Sequence, residues 1–187
     1  MGLDERTFIL GPDDIIPGLT MNVIFERVSV RDYSDQKIDR KVLEYVLNAA
    51  MNAPSAMNQQ AWEFLVVDEK DKLMELAKVS PYATPVTRAP AAIVVLGNRD
   101  RMKVPQMWEQ DLGACTENLL LGATASGLGA VWIGIAPIRD RMNMISDIFD
   151  LDENLLPFAV VAIGHPKSVP EPHKDRFDAS RIHYNEY

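Results

Sequence analysis

Arg27, Ser29 and Arg31 alternate within Glu26-Arg27-Val28-Ser29-Val30-Arg31-Asp32-Tyr33, so in an extended backbone their side chains project to one side. Two guanidinium forks and a hydroxyl converging there suit a phosphate or the polar edge of a heteroaromatic ring. The same spacing also fits a surface strand whose arginines pair with Glu26, Asp32 and Asp35. A second polar cluster lies in Ala53-Pro54-Ser55-Ala56-Met57-Asn58-Gln59-Gln60-Ala61-Trp62. The amides of Asn58, Gln59 and Gln60 offer paired donors and acceptors suited to a uracil-like ring edge, with Met57 available to pack on its face. Ordinary turn chemistry accounts for the same composition.

Other catalytic constellations are missing from the sequence. The single cysteine, Cys115, stands among Leu, Ala and Gly, and His165, His173 and His183 all fall in a Pro-rich tail, so no cluster has metal-ligand spacing. There is no G-x-S-x-G elbow and no G-x-x-x-x-G-K-[ST] phosphate loop, and Gly127-Leu128-Gly129 precedes an apolar strand pattern instead of joining strand to helix. A bound cofactor is then the economical source of chemistry, because the protein need supply only binding and orienting groups.

The elements that must position these residues are legible from periodicity. Asp39 is placed as an N-cap, and Val42, Leu43, Val46, Leu47 and Ala50 recur at helical spacing. Residues 62–67, 91–96, 130–135 and 158–163 are short apolar runs rich in Val, Ile or aromatics, and they read as buried strands. Helical patterns at 71–79, 105–126 and 140–149 separate them, so helices cover both faces of a central sheet and the class is α/β or α+β. The helix over 105–126 has almost no polar face in its second half, and Gly127 followed by Leu128 is a glycine C-cap pattern. Such a helix is either the core of a monomer or is covered in part by a second subunit, Gly113 and Gly122 admitting a close backbone.

The chain has 187 residues, 19 Lys+Arg against 27 Asp+Glu and a net charge of −8, which is one domain's worth of material. At this size about 70% of the unfolded chain's surface is buried, so a core forms without disulfides or metals. The acidic balance and the lack of a Lys/Arg run argue against nucleic-acid or anionic-membrane partners. A lone cysteine, an N-terminus without the pattern of a signal or transit peptide, and the absence of about 18 consecutive apolar residues point to a cytoplasmic protein. Residues 1–20, broken by Pro12, Pro17 and three glycines, read as an N-terminal extension, and residues 165–187 as a basic, Pro-rich tail.

Five motifs occur in a telling order: R-x-S-x-R at 27–31, A-P-S-x-x-N-x-Q-x-W at 53–62, and D-x-G-x-x-x-x-N-L-L-L-x-A-x-x-x-G-L-G running into A-V-W-I-G at 111–134, then G-H-P at 164–166 and K-x-R at 174–176. In order and interval, across residues 21–187, the sequence resembles the FMN-dependent nitroreductase family. The resemblance implies an α+β, three-layer fold with a central mixed β-sheet flanked by helices, and an intertwined homodimer with FMN sites at the subunit interface. It implies that Arg27, Val28, Ser29 and Arg31 line the flavin phosphate, ribityl chain and pyrimidine edge, with Lys174 and Arg176 closing on the phosphate. Pro54, Ser55, Met57 and Asn58 would come from the other subunit, Gln60 would reach the polar ring edge, and Ile133 and Gly134 resemble the strand end whose amide faces flavin N5. NADH or NADPH would reduce the flavin, and a small-molecule acceptor such as a nitroaromatic, a quinone or a flavin would reoxidise it. A lid between 81 and 107, with Tyr82, Met102 and Met107 and with Trp108 just past it, would roof the site, unless these are simply core residues. A dehalogenase or flavin-consuming relative, or a dimeric flavin-binding protein without turnover, are the alternatives. Ala61 stands where the family has Pro, Val28 where many members carry Arg or His, and residues 1–20 have no counterpart.

Overall fold

Asp39 has extended backbone (φ −61, ψ 136), and its Oδ1 accepts the Lys41 amide at 2.7 Å, giving a partner to a donor that the first helical turn leaves free. Helix α2 (Arg40–Met51) starts there, after a short α1 (Asn22–Glu26), and turns Val46 and Ala50 inward. The computed structural model describes residues 22–173 and 176–187. The remaining elements follow as β1 (Trp62–Val67), α3 (Lys70–Leu76), β2 (Ala91–Asn98), α4 (Trp108–Ala125), β3 (Gly129–Gly134), α5 (Arg139–Phe149) and β4 (Leu155–Gly164). Each expected helix and strand is present, with ends shifted by a few residues.

The sheet has the order β1-β2-β4-β3, and all three pairings are antiparallel. The expected mixed sheet is therefore antiparallel among its named strands, and the one parallel pairing among the described residues is the isolated Ser29–Ala130 bridge. β2 and β4 are interior and buried almost end to end, which is why both read as continuous apolar runs. Between Val95 and Leu96 the register slips so that Phe158 is the extra residue on β4, and Pro157, which cannot donate, sits at this bulge.

Two apolar layers clad the sheet. On one face Val28, Val30 and Tyr33 pack with Leu73, Leu76, Val86 and Ile145, and on the other α2 and α4 contribute Val46, Ala50, Leu112, Cys115, Leu119 and Ala123. The result is helices, sheet, helices, the three layers expected. α4 ends on Gly127, whose φ of +71 suits glycine. Gly127 N donates to Thr124 O at 3.0 Å and Leu128 N to Ala123 O at 2.9 Å, the paired bonds of a Schellman cap. The close approach at Gly122 is made by Ala49 of α2 in the same chain, where an added Cβ would lie 2.8 Å from the alanine Cβ. Much of the dryness of α4 is thus internal, while its Leu121 and Ala125 line an open groove of about 380 Å³ with Val23 and Tyr45. No described helix is long and apolar enough to cross a membrane.

Candidate functional site

The alternation at residues 27–31 is present as expected. Val28 and Val30 are buried, Arg27 and Ser29 are half-buried and Arg31 is exposed. Ser29 bridges to Ala130 in parallel and Val30 N donates to Ala130 O at 3.0 Å, which fixes this segment against the outer edge of β3. Gly129 allows the approach, since a Cβ there would lie 2.6 Å from Val30 Cβ. The buried phenol of Tyr33 lies beside the carbonyl oxygens of Val30 and Ala162 and donates within that pair. Burial pushes its pKa above the ordinary value, against the opposing pull of Arg31 and Arg88.

Pleating then determines what the rest of β3 presents. Ile135 N donates inward to Phe158 O at 3.2 Å, so the N–H and C=O of Gly134 point the other way, to the same outer side as Ala130 O. The Gly134 carbonyl accepts from Arg141 Nη1 at 2.8 Å, leaving its N–H at an exposed edge where an added Cβ would meet nothing within 4 Å. Ala130 and Gly134 are about 13 Å apart along the strand. One ledge thus has a hydroxyl and two arginines at one end and an outward peptide N–H at the other. Ile133 itself is buried in the layer of Val131 and Ile135. Arg27 Nε lies 3.4 Å from Glu117 Oε1, and Arg31 Nη1 donates to Ser29 O at 3.3 Å. The pairing with Glu26, Asp32 and Asp35 is not the one adopted, and Asp32 lies instead against Lys167 at 4.0 Å.

The second cluster, residues 54–60, is a tight loop with three non-glycine residues at positive φ: Met57 (51), Asn58 (49) and Gln60 (47). Ser55 Oγ accepts the Gln60 amide at 3.0 Å, and Gln60 Nε2 donates to Asn58 Oδ1 at 2.7 Å. Pro54, Met57, Asn58 and Gln60 are exposed, Met57 at 72%. Gln59 is different. It is 5% exposed, Nε2 donates to Asp111 Oδ2 and to Val104 O, and Oε1 accepts from Val104 N, so its amide is consumed inside the protein and is not free for a ligand. Asp111 Oδ1 also accepts from Ala56 N at 2.9 Å. Sequence reasoning does not single out Asp111; its signal is the leading D of the D-x-G motif.

One chain does not join these two clusters. The loop is anchored to Asp111 and the arginine segment to Glu117, six residues along α4 and projecting about 120° apart around its axis. No hydrogen bond or ion pair links the clusters among the described residues. The tail begins beside Arg31, with Ser34 N donating to His165 O at 2.8 Å and Lys167 N to Asp32 O at 3.2 Å. Every described residue from Lys167 onward is exposed, Arg176 included, and no hydrogen bond or ion pair among the described residues joins Arg176 to the ledge. Lys174 lies outside the described residues. Val28, expected among the cofactor contacts, turns its side chain into the core and borders a cleft of about 290 Å³ with Val30, Leu128 and Pro166.

The expected roof does not form as one unit. Met102 and Trp108 pack on Gly97 at the end of β2, and Trp108 meets Phe158 edge-on at 5.9 Å between ring centroids. Tyr82, 74% exposed, belongs to the segment leading into the start of the strand, and its neighbours Ala83 and Val86 enter the opposite core layer. Cys115 is a buried filler whose thiol burial pushes up to about 12.

The chain is thus a three-layer α+β domain with Arg27, Ser29 and Arg31 along the outer edge of β3. The sequence model of the Nitroreductase family matches residues 24–84 and 80–165, and the chain belongs to that family. A protein of Archaeoglobus fulgidus, provisionally named NADH dehydrogenase/NAD(P)H nitroreductase, is 39% identical over 166 residues, 87% of this chain and 95% of its own. The crystal structure of a provisionally named NADH oxidase from Clostridium acetobutylicum superposes with TM-score 0.86 and 43% identity, covering 88% of this chain and 99% of that one. A provisionally named nitroreductase of Desulfovibrio desulfuricans, crystallised in complex with FMN, gives TM-score 0.76 and 29% identity over 88% of this chain and 95% of that one. The family match ends at residue 165, so it does not reach the basic tail.

Proposed function

We propose that the protein is an FMN-dependent NAD(P)H oxidoreductase of the cytoplasm, acting as a homodimer whose two sites each draw on both chains. The observation that carries this reading is the ledge on β3, which has Ser29 and Arg31 at one end and, about 13 Å away at the other, the outward N–H of exposed Gly134. That donor set fits a flavin mononucleotide, which has a phosphate for guanidinium groups, a hydroxylated chain for Ser29 and a ring nitrogen for a peptide N–H. Bound FMN would supply the redox chemistry, hydride transfer from NAD(P)H through its N5 to an acceptor.

The chain's own part is to bind and orient. Arg27, Ser29 and Arg31 hold the phosphate and polar end, and Lys174 and Arg176 add charge from the tail. The Gly134 N–H fixes the reactive edge, with Ile133 anchoring that strand end in the core. Pro54, Ser55, Met57, Asn58 and Gln60 approach from the partner, which accounts for an exposed amide loop that has no ligand-bearing neighbour in its own chain. A hydride donor and an acceptor then use the same open face in turn, with no side chain acting as acid or base. The functional domain spans residues 21–187, and residues 1–20 are an extension to it.

The visible absorption spectrum of the purified protein, followed by anaerobic addition of NADPH or NADH, tests this reading. Bound flavin that bleaches on addition is the expected result. A protein that stays colourless after incubation with FMN would overturn it, and a yellow protein that neither donor bleaches would leave a flavin-binding dimer without turnover.

A further inference from the structure

We propose that Gln59 and Asp111 are positioning residues whose buried clamp holds the 54–60 loop in the left-handed conformation from which Met57, Asn58 and Gln60 meet the cofactor. This rests on the FMN reading above. Three non-glycine residues at φ of 47 to 51 within four positions are costly, and Met57 has no side-chain hydrogen bond to favour that region. The strained residues are the exposed ones, while the single residue between them with ordinary φ, Gln59 (φ −74), is nearly inaccessible. The protein therefore fixes the loop from beneath and displays the strained positions outward, an arrangement that a loop of no consequence has no reason to maintain.

The clamp is fully subscribed. Gln59 Oε1 accepts from Val104 N at 2.9 Å, its Nε2 donates to Val104 O at 3.3 Å and to Asp111 Oδ2, and Asp111 Oδ1 takes the Ala56 amide at 2.9 Å. Lys103 Nζ adds a bond to Met57 O at 3.4 Å. Three segments, the loop, residues 103–104 and the first turn of α4, thus meet at one carboxylate and one amide. Both are 5% exposed, so a mismatch there cannot be relieved by water without opening the loop.

The pairing supplies its own test. In Asp111→Asn one face of the new amide must present N–H groups either to Ala56 N or to Gln59 Nε2, and flipping Gln59 only moves the conflict to Val104. FMN affinity, measured by fluorescence quenching on titration of FMN into the full-length protein, should fall about tenfold or more. The double variant Gln59→Glu/Asp111→Asn reverses the donor, so that the amide introduced at position 111 donates to the carboxylate introduced at position 59 while its oxygen keeps the Ala56 bond. The oxygen that replaces Nε2 faces Val104 O instead of donating to it, so part of the affinity lost in Asp111→Asn should return. If Asp111→Asn does not fold, Gln59→Met, which leaves the carboxylate on Ala56, takes its place with the same expected loss. Wild-type FMN affinity in a folded single variant, or no recovery in the double variant, would overturn the proposal. A lowered melting temperature with unchanged FMN affinity would assign the clamp to stability alone. If the wild-type protein binds no FMN, it is the functional reading that fails.

Discussion

Replacing Gly134 by valine should separate the ligand ledge from the fold. A Cβ at this position meets no atom within 4 Å, and the residue is exposed at the end of edge strand β3. The fold therefore has room for the side chain. Glycine in a strand loses more backbone freedom on folding than other residues, so the substitution should stabilise the protein by about 0.5–1 kcal/mol. For a chain of this size that corresponds to a rise in Tm of roughly 1–4 °C. The same branched side chain stands beside the outward N–H that the proposed FMN site uses. A loss of at least about tenfold in FMN affinity, equivalent to about 1.4 kcal/mol, is expected. Circular dichroism melting of the flavin-free protein and fluorescence titration with FMN read the two quantities separately. A variant with an unchanged or higher Tm that binds FMN as tightly as the wild type would refute the placement of the flavin along β3.

Gly129→Ala should behave oppositely, because its Cβ would lie 2.6 to 2.8 Å from three atoms of Val30. Overpacking of about 1–3 kcal/mol should lower Tm by several degrees. Arg27→Ala should weaken FMN binding far more than it lowers the Tm of the flavin-free protein, since the 3.4 Å pair with half-exposed Glu117 contributes less than about 1 kcal/mol; equal loss of both, or of neither, would count against a ligand role. Cys115 is held protonated by burial, its pKa raised from 9.0 to about 12, so the native protein should resist thiol reagents at pH 8 and react fully only on unfolding. Because the folded state keeps this proton when the unfolded state has lost it, the contribution of Cys115 to stability should decline as pH rises above about 9, checked by urea melts between pH 8 and 11.

The fold is legible in the sequence where a local pattern decides the structure. Asp39 before an apolar helical period marks α2, and the Gly127-Leu128 pair marks the end of α4, because both depend on residues within one turn. β4 reads too short in sequence because Pro157 looks like a terminator, and only the bulge opposite Val95 and Leu96 shows how a proline is seated in an interior strand. Antiparallel order throughout the sheet is not legible, since pairing is chosen by contacts far apart in sequence. The arginine–serine alternation carries over to the structure because period two is a backbone property. Asn58, Gln59 and Gln60, in contrast, are chemically alike in sequence, and which one turns inward is decided by Asp111, 52 residues away. That Tyr82 and Trp108 lie in different layers is likewise not legible, as it is set by the two ends of β2.

A mixed dimer tests the two-chain site most directly. Arg27→Ala and Asn58→Ala are placed on separately tagged subunits, co-expressed, and the mixed species is purified and its flavin content measured. If Arg27 of one chain and Asn58 of the other build the same site, the mixed dimer has one site with both lesions and one with none, and it should hold half the wild-type flavin while each variant homodimer holds little. If every site is built within one chain, each site of the mixed dimer has one lesion, and a flavin content as low as that of the homodimers would contradict the shared site.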